Sequence, residues 1–153
     1  MTHQVTLITE LGPLRILGSN DAITAVLWPE QGGGMPKDAS NSLLAQAATQ
    51  LEEYLAGQRQ HFSLPLAPKG TDFQQSVWAL LRAIPYGVTR SYGDMAKELG
   101  KPDAARAVGS AIGKNPLSII VPCHRVIGKS GKLTGFAGGL VRKEWLLARE
   151  TNA

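Results

Sequence analysis

The sequence predicts an α+β protein in which short strands come first and most of the helices follow. Residues 1–30 alternate short apolar segments with Gly, Pro, Asn and Asp, a pattern typical of strands and turns. Most of residues 71–150 instead carries apolar side chains three and four positions apart, which is typical of amphipathic helices. With 153 residues, 43% of them hydrophobic, the chain can bury the core of one domain or of two small ones.

The first part of the chain is predicted to form a small sheet with one helix. Turn residues separate three apolar segments, which we interpret as strands over residues 5–8, 14–17 and 22–28. A loop rich in glycine follows at 32–34, and an amphipathic helix spans 40–56. Residues 64–70 contain two prolines and a glycine and are predicted to be a linker. We therefore expect domains at 1–65 and 70–153.

The second part is predicted to be more helical. Thr71 and Gln74 have the form of a capping box and begin a helix that ends at Pro85. Ser91 can cap a second helix, which Gly100 ends, and an alanine-rich third helix follows at 103–112. Two short helices joined by a tight turn indicate a helix-turn-helix. An extended segment is expected at 119–121, and a last helix at 140–150.

The net charge of +4 is unevenly divided. Residues 1–65 carry 3 Lys/Arg and 6 Asp/Glu, a net charge of −3, whereas residues 66–153 carry 13 and 6, a net charge of +7. A surface that binds a polyanion would belong to the second half. On charge alone, a merely solvated basic surface is an equally good interpretation.

The composition also excludes several classes of protein. One cysteine cannot form an intramolecular disulfide, which fits a reducing cytoplasm, and it excludes a cysteine-rich zinc site. We therefore predict no metal and no cofactor. The first ten residues lack the basic and apolar stretches of a secretion signal, and apolar runs such as 119–121 are far too short to cross a membrane.

The lone cysteine is the candidate nucleophile. Cys123 is followed directly by His124 and Arg125, and Pro122 stiffens the approach to it. A thiolate attacks carbon, and positive charge or a nearby base favours it by lowering the pKa of the thiol. However, a lone cytosolic cysteine is usually a small buried hydrophobe. This segment by itself leaves both interpretations open.

The segment Val121-Pro122-Cys123-His124-Arg125-Val126 resembles the active-site signature of the O6-alkylguanine-DNA alkyltransferases, or methylated-DNA–protein-cysteine methyltransferases. Further motifs in the same order carry the resemblance, at residues 88–93, 104–109, 115–116, 138–140 and 143–147. It is dense over 70–150, whereas 1–65 match only in general layout. The fold that it implies is a ribonuclease H-like sheet-and-helix domain followed by a winged helix-turn-helix-like domain.

The resemblance also implies roles for individual residues. Cys123 matches the alkyl acceptor, His124 the base that takes its proton through a water, and Glu150 the carboxylate that holds this histidine. Tyr92 matches the tyrosine that helps to rotate the nucleotide and donates a hydrogen bond to the departing guanine. Among the implied substrate- and DNA-binding residues, Arg106 fills the space left by the base, Asn115 braces the turn beside the active site, and Lys143 lines the site. The others are the pocket residues Val126, Phe136, Ala137 and Gly138, together with Ser91, Ala105 and Arg125.

Two positions depart from what is found in some relatives. Those relatives bind zinc in the N-terminal domain, but this chain has only His3 and His61 there and no second cysteine, so no zinc is predicted. Some relatives have serine at the position of Ala137. Alanine keeps the backbone N–H but removes a hydroxyl contact to the substrate.

The function implied by the resemblance is direct-reversal DNA repair. A monomer would flip O6-alkylguanine out of duplex DNA and move the alkyl group irreversibly to Cys123, once per protein molecule; O4-alkylthymine is left open as a second substrate. Two alternatives remain. One is a non-catalytic alkyltransferase-like damage-binding protein, although such relatives usually have tryptophan in place of Cys123. The other is a helix-turn-helix regulator with a structural or redox-sensing cysteine.

Overall fold

The structure, a computed structural model, describes residues 3–31, 40–128 and 138–151. Its strands come mostly before its helices, so the predicted α+β class is confirmed. The chain divides into two compact units: Met1–Lys69 with Pro116–Ser118, and Gly70–Asn115 with Ile119–Ala153. The predicted glycine-rich loop at 32–34 lies outside the described residues.

The first unit is an antiparallel sheet covered by one helix. Its strands are β1 (His3–Thr9), β2 (Gly12–Gly18) and β3 (Ile23–Leu27), in the order β1-β2-β3. Helix α1 (Ser42–Leu55) begins where the Asn41 side chain accepts a hydrogen bond from the Leu44 N–H at 2.9 Å. It packs against all three strands through one apolar face. Three strands and a helix were predicted here, and all four are present.

The segment predicted as a linker is partly integrated into this unit. The Ile23 N–H donates to the Pro65 carbonyl at 2.8 Å, and the Ala67 N–H donates to the Ile23 carbonyl at 2.9 Å. Proline removes a backbone donor but keeps its carbonyl acceptor, so a proline-containing segment can still pair at the edge of a sheet. Residues 64–70 are therefore not wholly a linker.

The second unit is built around three helices, α2 (Asp72–Arg82), α3 (Tyr92–Glu98) and α4 (Ala105–Gly113). The predicted capping box of Thr71 and Gln74 starts α2, and Ser91 caps α3. Both α2 and α3 pack against α4. The buried Trp78 indole N–H donates to the Ala111 carbonyl at 2.8 Å, which ties α2 to α4.

A Schellman motif makes the turn between α3 and α4. Gly100 has a φ of +73°, its N–H donates to the Lys97 carbonyl, and the Lys101 N–H reaches back to the Ala96 carbonyl. Glycine is favoured at this left-handed position because it has no Cβ. The predicted helix-turn-helix is thus present, with α4 starting at Ala105 rather than at residue 103.

A short parallel pair of strands positions the site. Strands β4 (Arg90–Ser91) and β5 (Val126–Ile127) pair so that Arg90 lies opposite Val126. Tyr92 directly follows β4, and Cys123–Arg125 directly precede β5. The pairing therefore fixes the start of α3 relative to the cysteine segment. The last helix, α5 (Leu140–Thr151), packs against this segment.

Residues 119–121 are not the extended segment that the sequence predicted. They lie in turns, and Ile119 has a φ of +73°, a conformation that β-branched residues rarely adopt and that costs about 1–3 kcal/mol. All three side chains are buried. A short apolar run signals burial, and here burial occurs without a strand.

In the ranges that the structure describes, no helix is long and apolar enough to cross a membrane.

Candidate active site

Two consecutive tight turns hold Cys123. Its N–H donates to the Val121 carbonyl at 2.8 Å around Pro122, whose φ of −80° and ψ of 67° are those of an inverse γ-turn. A short 3-10 helix, Cys123–Arg125, follows and leads directly into β5. The backbone at the cysteine is therefore fixed on both sides.

Asn115, just past the end of α4, braces the approach to the cysteine. Its buried side-chain amide donates to the Val121 carbonyl at 2.9 Å, and its own N–H donates to the Ile112 carbonyl. The same side chain hydrogen-bonds to Cys123. This geometry supports the bracing role that the resemblance implies.

His124 and Glu150 form a buried pair. The imidazole Nε2 lies 2.7 Å from Oε2 of Glu150, and the side chains are 0% and 1% exposed. Glu150 reaches this position because α5 buries residues 143, 146 and 150, which share one face of the helix. The Gly87 N–H also donates to Glu150, at 3.3 Å to Oε1. Sequence reasoning paired His124 with Glu150 by resemblance, and the structure places them in contact.

Arg125 is turned inward, onto the same carboxylate. Its Nε lies 2.8 Å from Oε1 of Glu150, its Nη2 lies 2.9 Å from Oε2, and its Nη1 donates to the Ile84 carbonyl at 2.7 Å. The predicted contact of Arg125 with DNA or substrate therefore needs correcting, because the guanidinium is buried and bonded within the protein. Sequence reasoning included Arg125 among the site residues but with a different role, and it missed the Gly87 N–H, whose contact with Glu150 no local pattern signals.

The imidazole is poised as a base. Burial lowers the pKa of His124, the charges of Arg125 and Lys143 lower it further, and Glu150 acts in the opposite direction. The neutral ring is therefore the stable form near neutral pH. Since an ionised carboxylate only accepts hydrogen bonds, Nε2 carries the ring hydrogen and Nδ1 carries the lone pair.

Lys143 brings a buried positive charge to the cysteine. Its ammonium donates to the Val126 carbonyl at 2.6 Å, and its side chain is fully buried. Burial lowers the pKa of Lys143, whereas attraction to the thiolate form of Cys123 raises it. The predicted role of lining the site agrees with this position.

The thiol differs from the expectation based on sequence. Burial raises the pKa of Cys123, whereas the Asn115 hydrogen bond, the Lys143 charge and the backbone N–H groups of Cys123 and His124 lower it. Burial outweighs these lowering effects because the residue is only 6% exposed. The thiol proton must therefore be removed in the reaction, which requires a base close to Cys123.

Comparison with known proteins identifies the family of this chain. The family model for the DNA-binding domain of 6-O-methylguanine DNA methyltransferase matches residues 72–152. The family model for its ribonuclease-like domain matches residues 4–68. The chain belongs to the 6-O-methylguanine DNA methyltransferase family. The resemblance proposed from the cysteine motif is confirmed, and so is the fold that it implied.

Relatives in this methyltransferase family match along nearly the whole chain. A Mycobacterium tuberculosis protein named methylated-DNA–protein-cysteine methyltransferase is 47% identical over 153 residues, covering 98% of this chain and 93% of its own. The constitutive enzyme of the same name from Bacillus subtilis is 49% identical over 147 residues, covering 90% and 88%. The crystal structure of Mycobacterium tuberculosis OGT in complex with DNA matches with a TM-score of 0.92 at 47% identity, covering 98% of this chain and 93% of that one.

The structure of this methyltransferase places most of the other predicted site residues around the cysteine segment or on the helix-turn-helix. Tyr92 is the first residue of α3, half-buried, and a Cβ on Gly109 of α4 would lie 3.6 Å from its ring. The remaining positions are Ser91 at the cap of α3, Ala105 and the exposed Arg106 in the first turn of α4, Val126 buried in β5, and the buried Gly138, whose carbonyl accepts from Arg142. Phe136 and Ala137 lie outside the described residues.

Proposed function

We propose that this protein repairs DNA by direct reversal, taking the alkyl group from O6 of guanine onto Cys123. The observation that carries the proposal is the sequence Cys123-His124 held against a buried Glu150 in a DNA-binding domain of the methyltransferase family. The nucleophile and the base are chain neighbours, and a third group orients the base.

The proposed reaction follows from the protonation states. The Cys123 thiol gives its proton, through a water, to Nδ1 of His124. The sulfur then attacks the alkyl carbon. As the S–C bond forms, the C–O6 bond breaks, and its electron pair stays on the guanine. Tyr92 donates a proton to N3 so that the base leaves neutral, and the proton held by His124 restores the tyrosine. The positive charge of Lys143 favours the thiolate while it exists.

Helix α4 is the proposed DNA-contacting element. Its buried residues are Val108, Ala111 and Ile112, which leaves a surface of small side chains around Arg106. Small side chains allow close approach to a groove. Extruding a base from the stack costs about a few kcal/mol, and Arg106 is proposed to offset part of this by filling the gap.

The product is a thioether, which has no easy route of hydrolysis or exchange. With one cysteine in the chain, no second thiol can resolve it. We propose that each molecule acts once, as a monomer on double-stranded DNA containing O6-alkylguanine, and that it works in the reducing cytoplasm.

The test is the intact mass of the protein after incubation with a duplex oligonucleotide containing O6-methylguanine. A gain of one methyl group per chain is expected, with no gain from the unmodified duplex and none in Cys123→Ala. Binding of the lesion without a gain in mass would favour a non-catalytic damage-binding protein. Indifference to the lesion would favour a helix-turn-helix regulator.

A further inference from the structure

We infer that Arg125 is a positioning residue for the proposed alkyl transfer: it holds the Glu150 carboxylate so that His124 keeps Nδ1 as its proton-accepting nitrogen. The inference rests on the proposed function for its purpose. Its geometry rests on the structure alone. Arg125 is thus buried and acts through Glu150, although its residue type and sequence position had led us to expect a contact with DNA.

All three nitrogens of the guanidinium make a hydrogen bond. Its Nε and Nη2 engage the two oxygens of Glu150 at 2.8 and 2.9 Å, and Nη1 donates to the Ile84 carbonyl at 2.7 Å. The Tyr86 ring lies against it, 5.6 Å from centroid to Cζ. This two-point contact requires the planar fork of arginine, and the single ammonium of lysine cannot reproduce it.

The contact determines what Glu150 can do for the histidine. Oε1 accepts from Arg125 and from the Gly87 N–H, while Oε2 accepts from Arg125 and from Nε2 of His124. A carboxylate that accepts several hydrogen bonds, two of them from a cation, is held ionised. It then cannot donate to the ring. The hydrogen stays on Nε2, and the lone pair stays on Nδ1.

The charge of Arg125 also keeps the base unprotonated. The charges that act on His124 are those of Arg125, from its own segment, and of Lys143 and Glu150, from α5. Two further titratable groups lie close by: the Cys123 thiol next to it in the chain, and the Tyr86 hydroxyl, which interacts with Glu150 and Arg125. Arg125 and Lys143 disfavour the imidazolium, and Glu150 favours it. Without Arg125, the His124–Glu150 pair takes up a proton at higher pH, and a protonated pair cannot accept the proton of the thiol.

The test is the pH profile of single-turnover methyl transfer in Arg125→Met and Arg125→Lys. In Arg125→Met the acid limb of the profile is expected to move to higher pH by about one unit, because a nearby like charge is lost. Arg125→Lys keeps the positive charge but loses the two-point contact with Glu150. The acid limb of its pH profile should therefore move less than in Arg125→Met, while the rate at the plateau of the profile falls. Arg59→Gln removes the half-exposed Arg59–Glu53 pair of the first unit and should leave the profile unchanged.

A second measurement keeps the inference falsifiable if Arg125→Met does not fold. Ring ¹⁵N shifts of His124 in the unaltered protein should report the Nε2–H tautomer at about pH 7. An equal loss of rate at every pH with no movement of the limb would overturn the positioning role, as would the Nδ1–H tautomer or an imidazolium. Absence of any transfer by the unaltered protein would overturn the proposed function instead. The ¹⁵N spectrum would still show which ring nitrogen of His124 carries the hydrogen, and so would still test the positioning that is inferred for Arg125.

Discussion

Helices α1 and α5 are both amphipathic, but they bury different chemistry. The buried residues of α1 are all apolar or aromatic, namely Leu43, Leu44, Ala47, Leu51, Tyr54 and Leu55. The buried residues of α5 are Lys143, Leu146 and Glu150. Apolar burial stabilises a fold, whereas burial of charge is costly unless every charge is paired. Helical periodicity thus predicts which face of a helix is buried. The residue types on the buried face then indicate whether the helix only stabilises the fold, as α1 does, or also contributes to the active site, as α5 does.

Two Arg–Glu pairs, one in each unit, repeat this contrast. Arg59–Glu53 has side chains 29% and 39% exposed, while the Arg125–Glu150 side chains are 8% and 1% exposed. Water screens the first pair and is excluded from the second. Breaking the buried pair should therefore lower the free energy of unfolding much more than breaking the exposed pair.

The largest effect is expected for Glu150→Gln. Removing the carboxylate leaves the Arg125 guanidinium buried without its counter-charge, so the free energy of unfolding should fall by about 3–5 kcal/mol. The rate of methyl transfer should fall at least roughly a hundredfold, because His124 loses the group that orients it. Urea unfolding and single-turnover kinetics measure the two quantities. Glu144→Gln, on the exposed face of α5, is the matched control, and equal effects in both variants would contradict the special role of the buried face.

Leu51→Ala should affect stability alone. Leu51 is fully buried on α1, so truncation should lower the free energy of unfolding by about 2–5 kcal/mol. The rate of transfer per folded molecule should not change, since α1 contributes apolar packing. Kinetics at a temperature where the variant is folded check this, and a slower reaction there would mean that α1 takes part in the chemistry.

Acidification should weaken the folded protein through His124. Its pKa is lowered from 6.5, so below about pH 6.5 the unfolded chain gains a proton on this ring before the folded chain does. Stability is therefore present above this pH and falls as the pH falls, by at most about 1.4 kcal/mol per unit from this group. When urea unfolding is measured between pH 7.5 and 5.5, the free energy of unfolding should change less with pH in His124→Asn than in the unaltered protein. Identical slopes would place the imidazole outside this linkage.

Arg59→Gln should have the smallest effect. A pair as exposed as Arg59–Glu53 contributes about 0–1 kcal/mol, and salt reduces this further. Thermal unfolding at low and high salt measures it. A loss comparable to that of Glu150→Gln would show that exposure does not govern these pairs.

Much of the fold follows from local sequence. The capping residues Thr71 and Ser91 and the stop at Gly100 act within a few residues, so the starts of α2 and α3 and the turn after α3 could be predicted. The turn at Ile119 could not, because its left-handed backbone is set by tertiary packing against the preference of a β-branched residue.

The site divides in the same way. Only the resemblance predicted the contact of Glu150 with His124. By its sequence position alone, near the end of the last helix, Glu150 would be expected to be a solvated charge. The inward turn of Arg125 depends on the Ile84 carbonyl, 41 residues earlier in the chain, and on a carboxylate 25 residues later. No local pattern encodes such distant partners. The raised pKa of Cys123 likewise depends on burial, which neighbouring residue types do not determine.

The most direct test of this account is to map the transferred group after exposing the protein to an excess of O6-methylguanine duplex. Peptide mass analysis should find one methyl group per chain, on the peptide containing Cys123, with repair stopping at one lesion per molecule. Methyl groups on other residues, or repair of several lesions by one molecule, would contradict a buried cysteine–histidine–glutamate site that acts once.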